Sequence, residues 1–127
     1  MRRSDQRRAA VVALYQEDVT RRPLAEVTPR EATSFTRELI EGVNRDRDEL
    51  DGLIERYAEG WTLDRIAPLE RNIMRVALFE LLHRDDVPDE VAIDEAVEAA
   101  KELCSADSPG FVNGILGAAQ RQRTAAP

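Results

Sequence analysis

Histidine and cysteine, the side chains that most often act as nucleophiles, proton carriers or soft metal ligands, each occur once in this 127-residue chain. His83 and Cys104 therefore cannot build a metal cluster from imidazole and thiolate groups. A nucleophilic Cys–His pair would require these two distant residues to meet in the fold. The simpler interpretation of Cys104 is a thiol packed within a helix, and a single cysteine excludes an internal disulfide.

The carboxylates are numerous, but their spacing is typical of solvated helix surfaces rather than of paired acid–base catalysts. The one glycine cluster, Gly110 to Gly114, lacks the lysine and the spacing of a phosphate-binding loop. We therefore predict no active site, no bound metal and no cofactor. The helical spacings of the acidic residues are seen at Glu38 and Glu41, Asp48 and Asp51, and Glu95 and Glu98.

Positive charge is concentrated at the N-terminus, although the chain as a whole carries a net charge of -7. Arg2, Arg3, Arg7 and Arg8 fall within the first eight residues, against Asp5 as the only acid. Guanidinium groups make bidentate contacts to phosphates, so this arginine cluster could bind RNA. A GC-rich genome would also enrich arginine, and basic termini often only increase solubility. Both interpretations stay open at this point.

Aromatic side chains would strengthen the RNA interpretation, because unpaired bases stack on exposed rings. Tyr15, Tyr57 and Phe111 are the candidates for such stacking. Aromatic residues within helices more often belong to the core.

The composition, with 43% hydrophobic and 34% charged residues, is typical of one folded domain. We expect a single domain over residues 1–127, with residues 1–6 as a flexible basic arm and residues 120–127 as a frayed tail. No apolar run approaches the roughly 20 residues of a membrane-spanning helix, and the start lacks a secretory signal. A cytoplasmic location is therefore expected.

Apolar residues recur at helical spacing and strand-like alternation is absent, which predicts an all-α fold, a compact bundle of about six to seven helices. The segment from Pro68 to His83 is apolar on nearly every face, so it should occupy the centre of the bundle. Capping residues and prolines predict helix starts after Ser4, at Thr28-Pro29, at Asp46, at Pro68, after Pro88 and at Ser108-Pro109.

Several sequence runs, in this order and spacing, resemble the NusB family of transcription antitermination factors. They include RRAAVVALY at 7–15, LERNIMRVALFEL at 69–81 and DSPGFVNG at 107–114. The resemblance covers the chain from about Arg7 to Ala119. It implies two packed helical subbundles that bind the single-stranded boxA element of nascent ribosomal RNA together with NusE, a small-subunit ribosomal protein.

The same resemblance implies that the factor works with other Nus factors and RNA polymerase, helps the polymerase resist termination, and has no catalytic step. Ser4 and Asp5 interrupt the basic run, so RNA affinity without the partner should be weak. The family contains monomers and homodimers, and either state is compatible with the sequence. The residues implied are Arg2, Arg3, Arg7, Arg8, Tyr15, Tyr57 and Phe111 for RNA, and Glu70 for NusE.

Two alternatives share this fold. The first is a free-standing RNA-anchoring domain, similar to those fused to RNA cytosine methyltransferases; the chain shows no cofactor-binding βαβ unit of its own. The second is a helical scaffold or homodimer that makes protein contacts and has lost RNA binding. Binding of RNA in a salt-dependent manner would separate these alternatives.

Overall fold

The computed structural model describes residues 1–125, and the regular secondary structure of this part of the chain is entirely helical. The all-α class predicted from the apolar spacing is confirmed. Within these residues the seven α-helices, with a 3-10 turn at Leu63–Arg65 ahead of the fifth, are α1 (Arg3–Thr20), α2 (Leu24–Val27), α3 (Ser34–Arg45), α4 (Arg47–Tyr57), α5 (Pro68–His83), α6 (Asp89–Leu103) and α7 (Ser108–Ala125).

Helix α5 forms the centre of the molecule, as its apolar composition predicts. It packs against α1, α3, α4, α6 and α7. Every residue from 72 to 81 is buried, because neighbours cover the helix all round. The helices α1 to α3 form one subbundle and α4 to α7 the other, and α5 of the second contacts α1 and α3 of the first.

Prolines mark the helix starts of the second half correctly. Pro68 occupies the first turn of α5, where its missing N–H costs no hydrogen bond. Pro88 precedes α6, and α7 begins at Ser108 with Pro109 as its second residue. These positions agree with the predicted starts.

The first helix starts earlier than the cap at Ser4 suggested. Helix α1 begins at Arg3, so residues 3–6, expected to belong to a flexible arm, form its first turn. The Ser4 hydroxyl donates a 2.7 Å hydrogen bond to Glu95 of α6 and does not cap α1. A contact distant in sequence has therefore replaced the local cap.

The helix start at Thr28-Pro29 is wrong. Thr28 ends the short α2, and its hydroxyl donates to the Leu24 carbonyl at 2.6 Å. Helix α3 begins at Ser34, where the hydroxyl of the preceding Thr33 accepts a hydrogen bond from the Thr36 N–H. Proline fits a turn as readily as a first helical turn, so Pro29 did not distinguish the two.

At the other end, α7 continues through residues 120–125, part of the segment expected to fray, while residues 126–127 lie outside the described residues. Among the helices described, none is long and apolar enough to cross a membrane.

A polar network joins α5 to α1 of the first subbundle and to α4 of the second. Asp18 of α1 accepts hydrogen bonds from Arg71 at 2.8 Å, Asn72 at 2.9 Å and Arg75 at 3.0 Å. Arg75 also donates to Asp51 of α4 at 2.7 Å. Burial alone would raise the pKa of Asp18, but these hydrogen bonds and the charges of the two arginines lower that pKa to about 2. Helices α1, α4 and α5 are therefore joined by one network of ion pairs, in which the Asp18 carboxylate stays ionised near neutral pH.

Candidate nucleic-acid interface

The arginine cluster begins with two exposed side chains. The Arg2 side chain is 83% exposed and lies 3.6 Å from the Asp5 carboxylate. Arg3 places its guanidinium carbon 3.8 Å from the centroid of the Phe35 ring, a cation–π contact at the start of α3. Half of the Arg3 side chain stays in contact with solvent. Both guanidinium groups can therefore reach an external phosphate.

Arg7 differs from this pair, because its side chain points into the bundle. It is only 8% exposed, and its Nε and Nη2 atoms donate to the two carboxylate oxygens of Glu80 at 2.8 and 2.9 Å. Burial lowers the pKa of Arg7, but the hydrogen bonds and charge of Glu80 outweigh burial and raise it. Arg7 is fully engaged in joining α1 to α5, so the expectation of a phosphate contact from Arg7 does not fit this conformation.

Arg8 lies between α1 and α6, and its side chain is 19% exposed. Its Nη1 atom is 3.6 Å from Glu95, and its Nη2 atom is 3.0 Å from Glu102. The Glu102 side chain is 61% exposed, so the Arg8–Glu102 pair opens to solvent on the carboxylate side. A phosphate that takes the place of the Glu102 carboxylate can contact the Arg8 guanidinium from that side.

The predicted aromatic residues occupy two places. Tyr15 is half-buried in the middle of α1. Tyr57, at the end of α4, and Phe111, in the first turns of α7, are also half-buried and pack against the core with part of each ring open to solvent. The latter two line one open groove, so the structure brings together two of the three predicted rings.

Trp61 belongs to the same groove and was not identified from the sequence. Its ring meets that of Phe111 edge to face, with centroids 5.8 Å apart and planes at 68°. Trp61 lies in the connection after α4, where no helical periodicity assigns it to a core or a surface. The residue type of Trp61 was the one indication in the sequence, because a tryptophan in a short polar loop must pack against other residues or remain exposed.

Glu70, the predicted partner-binding residue, lies in the first turn of α5 and is half-exposed. Its negative charge contributes to raising the pKa of the Cys104 thiol, which follows α6. Burial is the main cause of that raised pKa, and it keeps the thiol protonated at neutral pH. This environment agrees with a packed cysteine and disfavours a nucleophile.

His83 closes α5 against two carboxylates. Its Nε2 atom lies 3.1 Å from Glu49 and 3.4 Å from Asp46. Both oxygens of Asp46 are also held by the Arg45 guanidinium, at 3.1 and 3.0 Å. This cluster joins α5 to the junction of α3 and α4, and His83 and Cys104 have separate neighbours.

The NusB family model matches residues 4–121 of this chain. The chain belongs to the NusB family. Proteins named transcription antitermination protein NusB are similar to it: that of Salinispora arenicola is 45% identical over 87% of this chain and 89% of the relative. That of Frankia casuarinae is 60% identical over 66% of this chain and 62% of the relative, less than two thirds of its length.

Solved structures of the NusB family share the fold. T. maritima NusB matches with a TM-score of 0.89 over 96% of this chain and 92% of that one, at 35% identity. A complex of the antitermination factors NusB and NusE with double-stranded RNA contains a chain that matches with a TM-score of 0.84. That match covers 94% of this chain and 96% of the other at 23% identity, which shows the common fold alone.

Proposed function

We propose that this NusB family member is a cytoplasmic transcription antitermination factor that binds boxA-type single-stranded RNA of nascent ribosomal transcripts together with NusE. With other Nus factors it helps RNA polymerase resist termination, and it carries out no catalytic step. The family match along residues 4–121 carries this proposal, because it spans every predicted site residue except Arg2 and Arg3. A related structure holds NusB together with NusE and double-stranded RNA, the same two kinds of partner.

The mechanism divides the work between charge and stacking. Arg2, Arg3 and Arg8 supply phosphate contacts and accelerate association, since guanidinium groups release counterions from the RNA backbone. Aromatic rings at Tyr15, Tyr57 and Phe111 hold unpaired bases. All three aromatic residues predicted from the sequence thus take part in base binding in this proposal.

The acidic body of the chain has a separate role in this proposal. A net charge of -7 repels RNA over most of the surface but attracts a basic ribosomal protein. Glu70 lies half-exposed at the start of α5, where it can contact that partner. RNA and NusE thus bind to different parts of the chain, RNA to the arginine cluster and NusE to the acidic surface around Glu70.

Binding of a labelled boxA-like RNA to the purified chain, at two salt concentrations and with or without NusE, tests the proposal. Salt-sensitive binding that NusE strengthens is the expected result. No RNA binding even with NusE would contradict it and leave the protein-contact scaffold, which the pairing of Arg7 and Arg8 with glutamates favours.

Glu70 gives a second test. Reversing its charge with Glu70→Arg should weaken association with NusE by removing an attractive charge, while RNA binding without NusE changes little or improves. Pull-down or calorimetry with NusE, and RNA binding by the same variant, measure the two effects. Glu90→Arg, which reverses an exposed charge in the first turn of α6, is the matched control for NusE. Equal losses of RNA and NusE binding in Glu70→Arg would contradict the separate roles.

A further inference from the structure

Trp61 is unusually exposed for its type. It is the only tryptophan of the chain, and 50% of its surface is accessible to solvent. Gly60, with a φ of +80°, turns the chain just before it, a conformation that glycine adopts without strain. Tryptophan is enriched at interfaces, where its ring packs and its N–H finds a hydrogen-bond partner.

Two glycines of α7 leave free space in the groove beside Trp61. Gly110 and Gly114 stand one helical turn apart on α7, and a Cβ atom placed on either would meet no atom within 4 Å. The rings of Trp61, Phe111 and Tyr57 surround this space. The absence of side chains at the two glycines leaves room for a planar ring to lie between aromatic walls.

The chemistry of the lining favours a base over a phosphate. The lining residues, all within the described part of the chain, include the carboxylate of Glu59 and no lysine or arginine. Arg56 lies 5.5 Å from the centroid of the Tyr57 ring, beside the groove and not in its lining. A phosphate would be repelled by Glu59, whereas a base can stack on the rings and donate its amino group to that carboxylate.

The groove is connected to the arginine cluster through α6. Arg8 contacts Glu102 in the last turn of α6, and α7 begins only a short turn later at Ser108. Phe111 follows in the first turn of α7. A single strand whose phosphates contact Arg8 can therefore continue along this corner towards Trp61.

We propose that Trp61 is a base-stacking residue, and that the groove between Trp61, Phe111 and Tyr57 holds one unpaired base of the bound RNA. This inference rests on the proposed function, because it requires single-stranded RNA as the ligand. It adds a residue that distinguishes single-stranded from double-stranded RNA. A base paired within a duplex is already stacked on its neighbours and cannot enter the groove.

Affinity measurements by fluorescence anisotropy of a labelled single-stranded boxA-like RNA, with NusE present, test this role. Trp61→Ala should weaken binding about 5- to 150-fold, the range for loss of one stacked base. Trp61→Phe should recover most of the loss because it retains a ring. Val91→Ala is the matched control, since Val91 is an exposed apolar residue, 41% accessible, on α6.

The salt dependence separates stacking from charge. Trp61→Ala should leave the slope of log affinity against log salt unchanged, because no counterion is released by a stacked ring, whereas Arg8→Ala should make it shallower. Unfolding temperature and helicity confirm that the variants fold. A loss of NusE affinity in Trp61→Ala with unchanged RNA affinity would assign the groove to the protein partner and overturn the inference.

The intrinsic fluorescence of Trp61 gives a direct readout in the unaltered protein, because no other tryptophan contributes. Single-stranded RNA should quench it along the same isotherm as the anisotropy, and a duplex of the same sequence should not. RNA binding without quenching, and with full affinity in Trp61→Ala, would overturn the inference but leave the proposed function intact. No RNA binding in either assay would overturn both.

Discussion

At Arg7 and Arg8, adjacent positions of α1 place the same side chain in two environments. The first is 8% exposed and paired with Glu80, whereas the second is 19% exposed and paired with the solvent-facing Glu102. Two neighbours on a helix point about 100° apart, so one faces the bundle and the other its surface. Residue type alone therefore does not separate a structural arginine from a binding one.

Arg7→Ala should destabilise the fold by about 3–5 kcal/mol, because it leaves the Glu80 carboxylate buried without its counter-charge. Urea unfolding followed by circular dichroism measures this loss. The double variant Arg7→Met, Glu80→Leu should be more stable than Arg7→Ala, since it removes both charges. A loss below about 1 kcal/mol in Arg7→Ala would show that the pair contributes little.

Arg8→Ala should lower the unfolding free energy by about 1 kcal/mol, because the carboxylate side of its ion pair with Glu102 is exposed. RNA affinity should fall, and the salt slope should decrease by about 1, the loss of one phosphate contact. Arg22→Ala is the matched control: Arg22 is an exposed arginine paired with Glu26, just beyond the other end of α1. Equal effects on RNA binding at the two positions would contradict a specific role for Arg8.

At the scale of helices, close approach between α3 and α5 depends on one glycine. A Cβ atom on Gly42 would lie 2.2 Å from two ring atoms of Phe79. That separation is far below van der Waals contact, so the Phe79 ring packs directly on the α3 backbone. Gly52, within α4, has no atom within 4 Å of the same position. The two helical glycines thus differ in the reason for their presence.

Gly42→Ala should destabilise the fold, because a steric overlap costs about 1–3 kcal/mol in a packed core and outweighs the gain in helix propensity of about 1 kcal/mol. Gly52→Ala, the matched control, should stabilise it by about 0.5–1 kcal/mol. Thermal unfolding of both variants gives the comparison. A stabilising Gly42→Ala would mean that α3 and α5 separate easily.

Most helices were predicted correctly from the sequence, whereas features that depend on contacts between distant residues were not. Pro68 and the apolar faces of α5 act locally, so the central helix could be located. The burial of Arg7 depends on Glu80, which is far away in the chain and invisible to spacing arguments. The start of α3 at Ser34 in place of Thr28 had the same difficulty, because the Thr33 hydroxyl also donates to Gln6 of α1.

The candidate site was predicted in part for a related reason. Arg2, Arg3 and Arg8 were proposed from their charge, and Tyr57 and Phe111 from their aromatic rings, with the family resemblance pointing to the same residues. Trp61 was missed because irregular loops carry no periodicity from which exposure can be deduced. Helix faces can be predicted from a sequence, whereas a groove between a loop and a helix requires the fold.

At the scale of the whole molecule, the network around Asp18 makes the free energy of unfolding depend on pH. The pKa of Asp18 lies at about 2 in the folded protein, below its ordinary value of 3.8. A lowered pKa stabilises the folded state at pH values above the unfolded pKa, and this stabilisation is lost as the pH falls through the folded pKa. The shift corresponds to a contribution on the order of 2 kcal/mol.

Urea unfolding at pH values from 5 down to 2 should therefore show a loss of stability to which Asp18 contributes. Asp18→Asn should be less stable near neutral pH, because Arg71 and Arg75 lose a counter-charge, and its stability should fall less steeply below pH 4. Asp48→Asn, at an exposed position of α4, should retain the pH dependence of the unaltered protein. Identical slopes in Asp18→Asn and the unaltered chain would contradict this role.

The position of α1 against α5 also has a consequence for synthesis. Arg7 and Asp18 leave the ribosome early, but Glu80, Arg71 and Arg75 are added more than fifty residues later. At translation rates of about 5–20 residues per second, the first helix must wait several seconds for its charged partners. During that interval the apolar face of α1 is exposed in the nascent chain. A ribosome stalled before α5 would therefore present this face to chaperones, and the N-terminal subbundle would become resistant to protease only after α5 has emerged.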